Sequence, residues 1–157
     1  MVMKIKDVIE CLKNEGTWVR WNRCTRDRVL FGDDDQAVKK IGVCWVATNR
    51  VIEQALEKGI NFIISHENIF YTTGTHLETK LVESIEHKKD LLSKGNICVY
   101  RCHDVWDSIP NYGVSDVWAK KLGFDFRDRV INSYYQSANI PKHKFLVFYR
   151  YVRYKQI

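Results

Sequence analysis

The chain has no apolar run approaching the roughly 18 residues that a membrane-spanning helix needs, and no C-x-x-C pair, low-complexity segment or internal repeat. The first absence, with the charged and amphipathic start from Met1 to Glu10, points to a soluble protein without a signal peptide or membrane partner. The five cysteines, Cys11, Cys24, Cys44, Cys98 and Cys102, are an odd set without zinc-finger spacing, which argues against a disulfide scaffold and a zinc finger. Cys98 and Cys102 share a strand face but sit about 13 Å apart at roughly 3.3 Å per residue, too far to share one metal ion. All five read as small buried hydrophobes in a reducing, cytoplasmic setting. Also missing are G-x-G-x-x-G, G-x-x-x-x-G-K-[ST] and G-x-S-x-G, so dinucleotide, P-loop and hydrolase-elbow readings have no support.

What is present suits a folded α/β chain. With 157 residues, 45% of them hydrophobic and 13% aromatic, it fits one compact domain or half of a larger one and can bury roughly 70% of its unfolded surface. The net charge of +6 invites a nucleic-acid reading, but residues 131–157 hold five basic groups and no acidic one, leaving 20 basic against 19 acidic groups elsewhere. A near-neutral body with a basic tail places nucleic-acid binding last among the functions considered.

Apolar periodicity sets the elements. Ile5, Val8, Ile9 and Leu12 predict an amphipathic helix over Val2 to Asn14 with Gly16 as its stop. A polar, arginine-rich stretch from Thr17 to Arg28 leads to a short strand at Val29-Leu30-Phe31. Ile41 to Ala47 is a nearly continuous apolar run of strand length. Thr48-Asn49 is an N-cap candidate for a helix through Lys58, with Gly59 as its stop. Ile60 to Ile64 and Ile97 to Tyr100 are further strands, separated by a helix over Leu77 to Lys94 that ends at Gly95, and a last helix over Val114 to Leu122 closes at Gly123. The crossovers suit parallel pairing, so the expected fold is α/β with a largely parallel or mixed sheet and flanking helices.

Ligands of open parallel sheets gather at the carboxyl ends of the strands. There the sequence places Thr48, then Ser65-His66-Glu67-Asn68, then Cys102-His103-Asp104-Val105-Trp106-Asp107. Two imidazoles and several carboxylates at one edge suit a divalent transition metal. His66 and Glu67 reach one site only if the chain turns after them, which Asn68 permits. His103 and Asp107 share a face if Asp104 to Ser108 begins a helical turn. The candidate metal ligands are therefore His66, Glu67, His103 and Asp107. Asp104 is an orienting group or an alternative ligand, and Glu67 and Asp104 are candidate catalytic carboxylates. The bland alternative stands beside this: a histidine after a strand often caps or packs, and Asp104 or Asp107 could cap the following turn. His76, His87 and His143 read as solvated or without acidic neighbours. Trp45 and Trp118 read as core, whereas Trp106 could line a pocket.

On Ile41-Gly42-Val43 through Thr48, Asn61-Phe62-Ile63-Ile64-Ser65-His66-Glu67, Val99 through Asp107, and Gly113-Val114 to Leu122-Gly123, the chain resembles the Nif-three-like dinuclear metal-centre family, also known as GTP cyclohydrolase 1 type 2 homologues. The resemblance covers residues 1–131, and residues 132–157 read as an atypical basic tail of a truncated or frame-shifted product carrying only the N-terminal part of the full fold. It implies two metal ions held by a histidine pair after one strand, an aspartate after another, and a histidine and glutamate further on. His66 matches the first paired histidine, Asp107 the aspartate, and Glu67 the second histidine of most members. That exchange favours manganese or iron over zinc. No H-x-x-x-E pair follows Asp107, so two expected ligands are missing.

The resulting expectation is a metal-dependent hydrolase acting on a small nucleotide-like or phosphorylated molecule, with one or two divalent ions (zinc, iron, manganese or nickel) and a ring-like homo-oligomer, commonly a hexamer in the family. A divalent ion would lower the pKa of water toward neutrality while a carboxylate takes the proton. The alternative is a regulatory or scaffold protein with a partial metal site that binds a protein partner.

Overall fold

Apolar runs of strand length form the sheet. In the computed structural model, which describes residues 2–70 and 78–124, β2 (Ile41–Cys44), β3 (Phe62–Ser65) and β4 (Cys98–Arg101) are parallel neighbours. The first strand, β1 (Arg28–Phe31), runs antiparallel to β4, giving the order β1-β4-β3-β2. The fold is thus α/β with a mixed sheet, as the alternation of elements predicts. The basic tail at residues 132–157, together with His76 and His143, lies outside the described residues.

Helical crossovers account for the parallel pairing. The helix α2 (Asn49–Glu57) connects β2 to β3, and α3 (Glu78–Lys94) connects β3 to β4. Thr48 caps α2, its hydroxyl accepting from the Val51 amide at 3.3 Å, and Gly59 turns the chain out of the helix at φ +67°, a conformation that costs glycine little. At the end of α3 the left-handed residue is Asn96 (φ 47°) rather than Gly95. Gly95 serves packing instead, since a Cβ there would overlap the Leu56 side chain of α2.

Alternation along each strand sends successive side chains to opposite faces. Ile63 and Val99 face one cluster with Ile52 and Ala55 of α2 and Leu92 of α3. Phe62, Cys98 and Tyr100 face another with Ile5 and Ile9 of α1 (Ile5–Glu15). Both faces of β3 and β4 are therefore covered, which is why these strands read as apolar runs without a polar side. At the edge, β2 leaves Ile41 and Val43 exposed.

The first helix starts later than its periodicity suggests because residues before it pair outward. Lys4 bridges Ala37, and the Ile5 and Lys6 amides, orphans at a helix start, donate to the Gln36 and Asp34 carbonyls at 3.0 and 2.8 Å. Asp35 accepts from both Lys4 and Lys6. The same loop is clamped from β3's side by Asn61, which is buried. Its carbonyl accepts from the Lys39 and Lys40 amides (2.8 and 3.3 Å), and its amide donates to the Ala37 carbonyl and the Gln36 side chain (2.8 and 3.1 Å).

The expectation that every cysteine is buried is corrected: Cys98 and Cys102 are buried, but Cys11 and Cys24 are exposed. Cys11 lies on the outward side of α1, and Cys24 lies in the polar arginine-rich loop. The chain divides into two compact units, Met1–Val105 and Trp106–Ile157. In the second, α5 (Val114–Leu122) ends at Gly123 in the left-handed conformation (φ 72°), as the sequence predicts. No helix among the described residues is long and apolar enough to cross a membrane.

Replacing the buried Asn61 by alanine removes the partner of the Lys39 and Lys40 amides and of the Ala37 carbonyl at once, and urea unfolding should show a loss of about 1–3 kcal/mol. Lys4 and Lys6 hold the Asp35 carboxyl down at about 2, against an ordinary 3.8. The depressed value makes its contribution to stability complete above the ordinary carboxylate range and lost as pH falls through the folded value. The difference in melting temperature between wild type and Asp35→Asn should therefore be constant near neutrality, close on acidification, and shrink with added salt.

Candidate metal centre

Parallel pairing brings the ends of β2, β3 and β4 to one edge, and the ladder continues past them. The His66 amide donates to the Cys44 carbonyl (3.1 Å), the Glu67 amide to Trp45 (2.8 Å) and the Cys102 amide to Ser65 (2.9 Å). Those bonds fix the residues that follow each strand. Asn68 then turns the chain, its side-chain carbonyl accepting from the Phe70 amide at 3.3 Å while its amide donates to the Phe70 carbonyl at 2.7 Å.

Three aromatic rings stack across these strand ends. The Trp45 indole lies flat on the His66 imidazole, with centroids 4.0 Å apart and planes 12° from parallel. On from His66, the His103 imidazole follows at 4.6 Å with a 34° tilt. His66 is buried, at 7% exposure, whereas Trp45 is 57% exposed. Trp45 is thus not a core residue: its indole covers His66 from outside. Trp118, also expected in the core, is 55% exposed on α5, and Trp106 is 43% exposed.

The short helix α4 (Asp104–Ser108) begins immediately after His103. The helical turn expected there therefore forms, and it carries Asp107 four residues on from His103, on the same side of the turn. His66, His103 and Asp107 make up the group of metal-ligating side chains among the described residues that could hold an ion.

The carboxylates beside this group are engaged elsewhere. Asp104 Oδ1 accepts from His103 Nδ1 at 3.0 Å, and its Oδ2 accepts from the Thr25 hydroxyl (3.0 Å) and the Arg26 amide (2.8 Å). Burial pushes the Asp104 carboxyl up, but the Arg26 amide, the Thr25 hydroxyl and His103 together outweigh it and hold it below its ordinary value. An ionised Asp104 keeps the proton on His103 Nδ1, which leaves the lone pair on Nε2, the arrangement in which carboxylates orient metal-binding imidazoles. Glu67 Oε2 accepts from Arg101 Nη2 at 3.0 Å, and Arg101 Nε donates to the His66 carbonyl at 3.2 Å. Its other oxygen, Oε1, lies 3.7 Å from His66 Nδ1. The structure thus gathers His66, His103 and Asp107, and sets Asp104 behind His103 and Glu67 between His66 and Arg101. His87 is exposed on α3, as expected.

Two imidazoles with one carboxylate, one of the imidazoles oriented by a second carboxylate, are a donor set that fits a divalent transition ion. The sequence model of Duf34/NIF3 (NGG1p interacting factor 3) matches residues 3–147. The chain belongs to this family. The match runs past residue 131, into the stretch whose composition looked atypical. A Clostridium acetobutylicum protein named GTP cyclohydrolase 1 type 2 homolog is 28% identical to this NIF3-family chain over 131 residues, 80% of the chain and 46% of the relative. A Staphylococcus aureus protein of the same name is 30% identical over 121 residues, 77% of the chain and 32% of the relative. The crystal structure of a Staphylococcus aureus hypothetical protein is similar with a TM-score of 0.62 at 28% identity, over 80% of this chain and 35% of that one. The chain spans less than half the length of these relatives.

Sequence reasoning missed Trp45, Asp27, Thr25, Arg26 and Arg101. Asp27 is buried and accepts the amides of His103, Asp104 and Val105 at 2.6, 2.6 and 3.0 Å. Burial raises its carboxyl above the ordinary range despite those three bonds, and the charge of Asp104 adds to the rise. A signal for Arg101 did exist, namely a charged residue closing an otherwise apolar strand, which needs a paired acid to be buried.

Within the second unit, Gly113 packs against the end of α4: a Cβ there would lie 2.7, 2.9 and 3.0 Å from the Ile109, Asp107 and Trp106 carbonyls. Gly113→Ala should therefore cost about 1–3 kcal/mol through overpacking, read as a lowered thermal midpoint.

Proposed function

We propose that the chain binds a divalent transition ion through His66, His103 and Asp107 and supports hydrolysis of a small phosphorylated or nucleotide-like molecule. The convergence of the two imidazoles with Asp107, with Asp104 behind His103, carries the reading. Membership of a family whose relatives are named GTP cyclohydrolase 1 type 2 homologs supports it. Zinc, iron, manganese and nickel all suit two neutral nitrogens and one anionic oxygen.

When bound, such an ion would supply Lewis acidity to water or to a substrate oxygen. The chain's own groups do the rest. Asp104 fixes the tautomer and direction of the His103 ring, and Trp45 shields one face of His66 from water. Glu67, held between Arg101 and His66, is the carboxylate in reach of the histidine edge that would accept a proton. Arg101 holds it in place there by donating Nη2 to Glu67 Oε2.

A second reading has its own support. With three metal-ligating side chains gathered among the described residues, the chain would hold metal without turnover and act by binding a partner. Metal analysis of protein purified without chelator separates these outcomes. About one equivalent of transition metal in wild type, lost in His66→Ala with Asp107→Ala, is expected. No metal in wild type, or metal retained by the double variant, would sink the site. Metal bound without hydrolysis across nucleotides and phosphoesters would favour the partner-binding reading over the hydrolase.

A further inference from the structure

Asp27 is outside the donor set, yet it fixes the segment that carries two of the three donors. Because β1 is antiparallel to β4, Arg28 pairs with Arg101, so the residues entering β1 meet the residues leaving β4. There Asp27 takes up the first three amides around the start of α4: Oδ1 from His103 and Asp104, Oδ2 from Val105. A helix start exposes amides that need acceptors, and this one is supplied from 76 to 78 residues earlier in the chain. The arrangement is reciprocal. Asp104, the first residue of α4, takes the Thr25 hydroxyl and the Arg26 amide, and Thr25 Oγ1 accepts the Asp27 amide at 3.1 Å. Each carboxylate thus satisfies the backbone of the other's segment. Asp27 is only 4% exposed, a placement that costs desolvation and is compensated by these bonds.

We propose that Asp27 is a positioning residue of the metal centre: by gripping the turn between β4 and α4 it sets where the His103 imidazole is presented, and without it the ligand loses its direction. This rests on the metal-binding reading of the site, while its geometric part can be read in metal-free protein. Outer partners of metal-binding histidines typically contribute tenfold to a hundredfold in affinity.

The test compares two buried clamps at opposite ends of the same strands. Asp27→Ala, Asp27→Asn and Asn61→Ala are titrated with Co²⁺, followed by its visible absorption, and melted in parallel. Asn61 precedes β3 at the amino edge, away from the histidines. Asp27→Ala should bind Co²⁺ about tenfold or more weakly, with Asp27→Asn, which keeps one acceptor oxygen, in between. Asn61→Ala should melt lower yet bind within about twofold of wild type, since distant sites act independently. Equal losses of affinity in Asp27→Ala and Asn61→Ala, or none in either Asp27 variant, would overturn the proposal. Should Asp27→Ala not fold, the comparison of Asp27→Asn with Asn61→Ala decides in the same way.

Histidine-selective NMR of the metal-free proteins supplies the second readout. The His103 ring resonance, assigned by its loss in His103→Gln, should shift in the Asp27 variants and stay in place in Asn61→Ala. An unmoved His103 resonance overturns the proposal. If wild type binds no Co²⁺ the metal reading fails by itself, and this arm still reports whether Asp27 sets the ring.

Discussion

Two carboxylates interlock the segment entering β1 with the segment leaving β4, and the site is organised around that interlock. Asp27 satisfies amides that a five-residue helix cannot satisfy for itself, and Asp104 returns the arrangement to Thr25 and Arg26. Asp104 also holds His103. A single residue therefore belongs both to the backbone clamp and to the orientation of an imidazole. The repulsion between the two carboxylates is accepted because each is matched to donors, which is the condition under which buried charge is tolerated.

The mixed sheet makes this possible. Three parallel strands deliver their following residues to one edge, the general position of sites in such sheets. An antiparallel strand added beside them contributes its beginning to the same edge. The edge is thus built from four segments, of which three lead out of strands and one leads in. Stacked rings then run across it from Trp45 through His66 to His103, so the imidazole positions follow the spacing of the strands beneath them.

Much of this was legible in the sequence. Central parallel strands, covered on both faces, appear as continuous apolar runs, as Ile60 to Ile64 and Ile97 to Tyr100 do, and Ile41 to Ala47 carries the parallel edge strand β2 in the same kind of run. His66, His103 and Asp107 stood out because polar residues follow those runs abruptly. Thr48, Gly59 and Gly123 were legible because caps and stops are local chemistry. Trp45 was not, since an aromatic after an apolar run is indistinguishable from a further core residue until the neighbouring strand is known. Asp27 and the pairing of Glu67 with Arg101 were hidden for a different reason. Their partners lie tens of residues away, and only the strand order, including the antiparallel placement of β1, brings them together. The boundary of α1 was misplaced by the same kind of long-range contact, the bridge from Lys4 to Ala37.

The distribution of thiols carries a chemical consequence. Cys98 lies in the sheet with no exposure, its thiol pushed up to about 12 by burial and by the charges of Asp34 and Asp33, and Cys102 beyond it is buried as well. Electrophiles and mild oxidants need thiolate and access, so these two buried sulfurs are chemically silent at neutral pH. The accessible sulfur is at the surface, on Cys11 and on Cys24. Cys24 stands just ahead of Thr25, so a fluorophore attached there would watch the braced loop from outside.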